Sequence, residues 1–204
     1  MTAFDDLSGV QFDILREIGN IGAGNATTAL SQMLGSAKID MAVPNVKLLN
    51  FSELVEVVGG AESLAAGVMV NIDGELEGSM LFMLENRAAH HLVDNLLGSV
   101  WNEQDDFTEM DLSALGEIGN IIVGAYLSSV ALMTGLSVHP SIPYLAVDMA
   151  GAILSVPAIE FGKLGDKALL IESTFSEDGK HISGYFILIP TEDSYSKLLH
   201  ALGQ

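Results

Sequence analysis

Glu17-Ile18-Gly19-Asn20-Ile21 returns one hundred positions later as Glu117-Ile118-Gly119-Asn120-Ile121. The same offset of 100 pairs Gly24 with Gly124, Met33 with Met133 and Gly35 with Gly135. Ahead of these blocks, Ser8-x-x-Gln11 and Thr108-x-x-Asp111 both have the form of a capping box, in which two side chains satisfy backbone N–H groups at a helix start. Behind them, Gly78-Ser-Met-Leu-Phe-Met-Leu84 resembles Gly184-Tyr-Phe-Ile-Leu-Ile-Pro190. The patterns 86–98 and 191–203 each close on Leu-Gly, a helix stop. Four matched blocks in one order read as a tandem duplication. The expectation is a single domain over 1–204 made of two repeats, 8–98 and 108–203. The junction falls at Ser99–Asp106, marked by Trp101 and Glu103-Gln-Asp-Asp106.

Each repeat reads as a long helix (8–34, 108–134), then apolar strands, then a shorter amphipathic helix. Strands are expected at 39–43, 46–49, 64–72 and 79–84, and again at 136–142, 152–156, 168–174 and 182–189. Asp73-Gly74 and Asp178-Gly179 are hairpin signals at matching places. The fold class is therefore α+β with a mainly antiparallel sheet.

The 204 residues hold 27 Asp plus Glu against 8 Lys plus Arg, a formal charge of −19, yet 49% are apolar and mean hydropathy is +0.40. A disordered acidic chain would be apolar-poor. A nucleic-acid binder needs surplus cations, and an anionic membrane surface would repel this chain. With no Cys, disulfides, zinc thiolates and Cys nucleophiles are all excluded, which fits a cytoplasmic protein. The N-terminus has no basic and apolar leader pattern. Residues 118–147 carry no Asp, Glu, Lys or Arg. Their Asn, Gly, Ser and Pro content reads as a buried helix followed by a strand rather than a membrane span.

On the first helix Val10, Ile14, Ile18, Ile21, Ala29 and Met33 share one expected core face. The opposite stripe is Asp13, Glu17, Asn20, Gly24, Thr27 and Ser31, matched on the second by Ser113, Glu117, Asn120 and Gly124. Glu at i and Asn at i+3 project from one side, one turn apart. Gly19 and Gly119 sit beside them. A glycine inside a helix costs about 1 kcal/mol relative to alanine, so its recurrence points to a close approach, by a partner or by a packed neighbour. Glu117 is the only charged residue between Asp111 and Asp148, which marks a used surface. A carboxylate can pair with a lysine, and a carboxamide can position a water without titrating. The five His form no HExxH or HxH pattern, and there is no phosphate-binding lysine loop or Gly-x-Ser-x-Gly. Such a pair would act on a partner that brings its own electrophile, metal and lysine.

These residues resemble the CheC-type chemotaxis phosphatases of the CheC/CheX/FliY group. That pattern is Asp or Ser, three residues, Glu, two, Asn, twenty-two, Pro; Ser113, Glu117, Asn120 and Pro143 fit it in full. Asp13, Glu17, Asn20 and Pro44 fit it with twenty-three residues before the proline, the extra one assigned to the turn near Gly35-Ser36. The length resembles the two-site CheC-like branch. The resemblance implies a pseudo-twofold fold, with two long antiparallel helices on one surface and a sheet behind. It implies hydrolysis of the aspartyl phosphate of the response regulator CheY. Asn20 and Asn120 would orient the water, and Glu17 and Glu117 would pair with the regulator's lysine. Asp13, Ser113, Gly19, Gly119, Pro44 and Pro143 would support them. Mg²⁺ is expected on the regulator, with no cofactor or metal on this chain. The receptor deamidase CheD is a further implied partner, with Asp148 as its contact. No nucleic acid and no membrane is expected, and the internal duplication favours a monomer. The competing readings are a phospho-CheY-binding module or flagellar-switch-like adaptor, and an unrelated structural or metal protein.

Overall fold

Residues 78–85 read Gly-Ser-Met-Leu-Phe-Met-Leu-Glu, with no polar alternation, and such a strand must be covered on both faces. The computed structural model describes residues 8–33, 39–102, 106–161, 167–177 and 180–202. In chain order the elements are α1 (Gly9–Met33), β1 (Ile39–Asn50), α2 (Phe51–Val57), β2 (Leu64–Gly74), β3 (Gly78–Glu85), α3 (Asn86–Leu97) and α4 (Glu109–Thr134). Then come β4 (Val138–Pro140), β5 (Tyr144–Met149), α5 (Ala150–Phe161), β6 (Lys167–Glu177), β7 (Lys180–Pro190) and α6 (Glu192–Ala201).

One antiparallel sheet runs β1-β6-β7-β3-β2, and β4 and β5 share the far side of β2. The pairing crosses between the two halves of the chain at β1·β6, β3·β7, β2·β4 and β2·β5. In the central β3·β7 ladder Gly78 faces Pro190 and Leu84 faces Gly184, with Leu81 and Ile187 midway. Both core clusters draw side chains from the two halves, which share one interior.

Side-chain alternation splits that interior into two layers. Met80, Phe82 and Leu84 of β3 point into one core with Phe186 and Leu188 of β7, under α1, α4, α3 and α6. Leu81 and Met83 point the other way, with Ile187, Ile189 and Leu170, under α2 and α5. Tyr126 of α4 is buried, and its ring stacks on Phe186 at 5.4 Å, in turn 4.9 Å from Phe82. Burial holds the Tyr126 phenol above its ordinary pKa.

Both capping boxes form. Ser8 N–H donates to Gln11 Oε1 at 2.6 Å, and Gln11 N–H donates to Ser8 Oγ at 3.4 Å. Thr108 N–H donates to Asp111 Oδ2 at 2.8 Å, and Asp111 N–H donates to Thr108 Oγ1 at 3.2 Å. Thr108→Ala should therefore cost about 1 kcal/mol. The check is a urea melt, in which the midpoint falls and the slope stays unchanged. At the junction, Trp101 and Phe107 sandwich the buried His90, at 4.3 and 3.6 Å between ring centres. Trp101 N–H donates to Asp94 Oδ2 at 2.8 Å, tying the connection to α3.

Several sequence expectations are corrected. Residues 152–156 lie inside α5, not in a strand. Ala-Gly-Ala-Ile-Leu-Ser-Val-Pro-Ala-Ile is a continuous apolar run, and periodicity cannot separate a buried strand from a buried helix there. The strand expected at 136–142 is only Val138–Pro140, and β5 and α2 were not anticipated. The strands expected at 39–43 and 46–49 are one strand, β1, whose register shifts between Ala42 and Asn45. Asp73-Gly74 closes β2, with Gly74 at φ +114°, whereas Asp178-Gly179 and Gly35-Ser36 lie outside the described residues. The core face of α1 is also rotated. Val10 is 68% exposed, and the buried stripe is Gln11, Leu15, Ile18, Gly19, Gly22, Ala23, Ala26 and Leu30. Small residues let α1 approach its neighbours closely, and a count of large apolar side chains overlooks them. A Cβ on Gly22 would lie 3.0 Å from the Tyr126 ring.

By length and composition α4 could cross a membrane. Half of its most apolar window is buried in the protein, and its core side chains pack with α1 and the sheet.

Candidate functional site

The helical repeat sorts the EIGN blocks of α1 and α4. Ile18, Gly19, Ile118 and Gly119 are buried, which pins the rotation of each helix. Glu17, Asn20, Glu117 and Asn120 are exposed, with each Glu one turn before its Asn. Asp13 and Ser113 are exposed one turn earlier on the same face. Two copies of one polar constellation are thus held at the surface by residues locked into the core. The two helices are joined by Asn25 Nδ2, which donates to Ser129 Oγ at 3.1 Å.

The glycines serve this arrangement from behind. A Cβ on Gly119 would lie 2.5 Å from Val68 Cγ2 of β2, so the close approach read from the sequence is made by the protein's own sheet. Gly19 is likewise buried. By contrast, Gly24 and Gly124 have open space around a would-be Cβ.

The two prolines stand at ladder breaks. Between Ala42↔Thr174 and Asn45↔Glu172, residues 43 and 44 oppose Ser173 alone. Between Met69↔Tyr144 and Ile72↔Pro140, residues 141–143 oppose two residues of β2. An extra residue interrupts the ladder, and a proline with no N–H to donate is tolerated there. Pro44 and Pro143 thus shape the backbone. Asp148 lies elsewhere, on the exposed strand β5, where its Oδ1 accepts from Met149 N–H at 2.7 Å.

One residue on the α1 face was passed over by the sequence reading. Arg16 Nη2 donates to Asp13 Oδ1 at 2.8 Å. The equivalent position on α4 is Gly116, and that difference between the repeats was the available signal. Among the described residues no group of three or more His, Asp or Glu could hold a metal ion. The chemistry open to this face is hydrogen bonding, ion pairing and water positioning.

This fold is shared with solved structures of flagellar-switch and chemotaxis proteins. The chain is similar to the structure of Thermotoga maritima FliY, with TM-score 0.77 and 23% identity over 96% of this chain and 97% of that one. It also resembles a chain of the CheX-CheY-BeF3-Mg complex from Borrelia burgdorferi, with TM-score 0.50 and 20% identity over 82% and 95%. The CheC-like family model matches residues 1–48, and the model of chemotaxis phosphatase CheX matches residues 66–158. The CheY-P phosphatase CheC of Bacillus subtilis is 38% identical over 207 aligned positions, covering 100% of this chain and 99% of that protein. The chain belongs to the CheC family.

Proposed function

We propose that this chain hydrolyses the aspartyl phosphate of the chemotaxis response regulator CheY. The observation that carries the reading is the exposed Glu/Asn pair presented twice on core-locked helices. Full-length likeness to a CheY-P phosphatase supports it.

The regulator brings the phosphoryl group, a Mg²⁺ and a lysine. Asn20 or Asn120 holds the attacking water in line with phosphorus by its carboxamide. Glu17 or Glu117 pairs with the regulator's lysine and sets the register of the helix. Asp13 and Ser113 flank that contact. Catalysis is then positioning, with a bimolecular attack made effectively unimolecular and no intermediate formed on this chain. We place the chain in the cytoplasm with its substrate, acting as a monomer. We place CheD, a second partner, at Asp148.

The test is phosphate release from phosphorylated CheY in Mg²⁺ buffer, which the chain should accelerate. Within that assay, Glu17→Ala combined with Glu117→Ala should raise KM by about tenfold or more, because each loses an interfacial charge pair. A KM unchanged in that variant would remove the glutamates from docking.

A further inference from the structure

The two sites are not electrically equivalent. The chain has only two Arg, and one of them, Arg16, lies on the α1 site face. It precedes Asn20 by four residues, so the two are neighbours on one flank of the helix. Asp13 holds the guanidinium at 2.8 Å while leaving it 51% exposed. On α4 the acid and the base are both gone, replaced by Ser113 and Gly116. No Lys or Arg occurs anywhere between Arg87 and Lys163, so α4 carries no cation at all. Its first turn instead adds Glu109 and Asp111.

The substrate assigned above presents the anionic oxygens of an aspartyl phosphate to this face, beside the Mg²⁺ and lysine that it brings, and a guanidinium can donate to such oxygens. The protein receiving it has a formal charge of −19. Long-range attraction is therefore unfavourable, and a cation beside the water-positioning Asn acts where the phosphoryl group arrives. We propose that Arg16, steadied by Asp13, is a docking residue that makes the α1 site bind phosphorylated CheY more tightly than the α4 site. This rests on the phosphatase reading. A helix-surface ion pair with no other role would add slightly to the stability of α1 and leave the kinetics alone.

Gly116 offers a direct graft, because a Cβ there meets nothing within 4 Å. The experiment uses two single-site proteins, Asn120→Ala (α1 site alone) and Asn20→Ala (α4 site alone), assayed for phosphate release over a range of phosphorylated CheY. In the first, Arg16→Ala should raise KM about three- to tenfold at about 50 mM NaCl, with kcat changed less than about twofold. Arg16→Lys should recover most of the loss, and about 500 mM NaCl should erase the difference by screening. In the second, Ser113→Asp with Gly116→Arg should lower KM by a similar factor. An Arg16→Ala KM unchanged at low salt overturns the proposal, as does a fall confined to kcat or a graft without effect. If wild-type protein does not accelerate release at all, the phosphatase reading itself has failed.

Discussion

Replacing both Asn20 and Asn120 by Ala is expected to lower kcat for phosphate release by about 100-fold or more, while binding of phosphorylated CheY persists. Loss of a single fixed hydrogen-bonding group at the reacting centre typically costs 10²- to 10³-fold. In the proposed mechanism the carboxamides hold the attacking water, so little activity should remain once both go. The fold should survive. Both Asn are exposed on helices whose cores are set by Ile18, Gly19, Ile118 and Gly119, and Ala is the better helix former. Each single variant should keep one working site. The measurements are steady-state release of phosphate, together with co-sedimentation or calorimetry against CheY carrying a phosphoryl mimic. Full activity in the double variant would end the assignment of these residues.

A large loss of stability is expected from Gly119→Ala. Its new Cβ would lie 2.5, 2.7 and 2.9 Å from three side-chain atoms of Val68. Val68 cannot yield easily. It is β-branched, buried, and sits mid-strand, paired to Phe82 on one side and Leu145 on the other. Relief requires α4 to lift from the sheet, at a cost of about 1–3 kcal/mol, which the gain in helix propensity only partly offsets. For a chain of this size that lowers Tm by roughly 3–10 °C. Trimming Val68 to Ala should restore part of the loss in the Gly119→Ala background while destabilising the parent, a coupling of opposite sign that a double-mutant cycle reads directly. Additive effects would mean that α4 does not pack as described. Because Glu117 and Asn120 ride on α4, the same variant should also reduce catalysis at that site.

Much of this was legible in the chain. The recurrence of Glu-Ile-Gly-Asn, the capping boxes at Ser8 and Thr108, and the apolar runs of β2, β3, β6 and β7 each correspond to an element of the structure. What escaped has physical causes. The β-branched Ile153 and Pro157 sit buried inside α5, where burial outweighs local propensity. Asn50-x-x-Glu53, a complete capping box, announces α2 but stands between apolar residues that read as strand. The face of α1 was misjudged because its contact surface is made of Gly22, Ala23 and Ala26. The exposed position of the Glu/Asn pairs nonetheless followed from their three-residue spacing. The ladder breaks at the two prolines did not, since register belongs to pairs of strands rather than to one.

The acidic character of the chain also becomes specific at this face. Of 27 carboxylates, Glu17 and Glu117 occupy corresponding positions on two core-locked helices, and only the helix of the first carries an arginine. Turnover on phosphorylated CheY is measured by adding the chain at about one-fiftieth of the concentration of phosphorylated CheY and following inorganic phosphate. The expected result is release of many equivalents per chain, faster than CheY's own decay, and loss of that acceleration in the double Asn variant. Release no faster than the intrinsic decay would contradict it and leave a protein that binds the phosphorylated regulator without hydrolysing it.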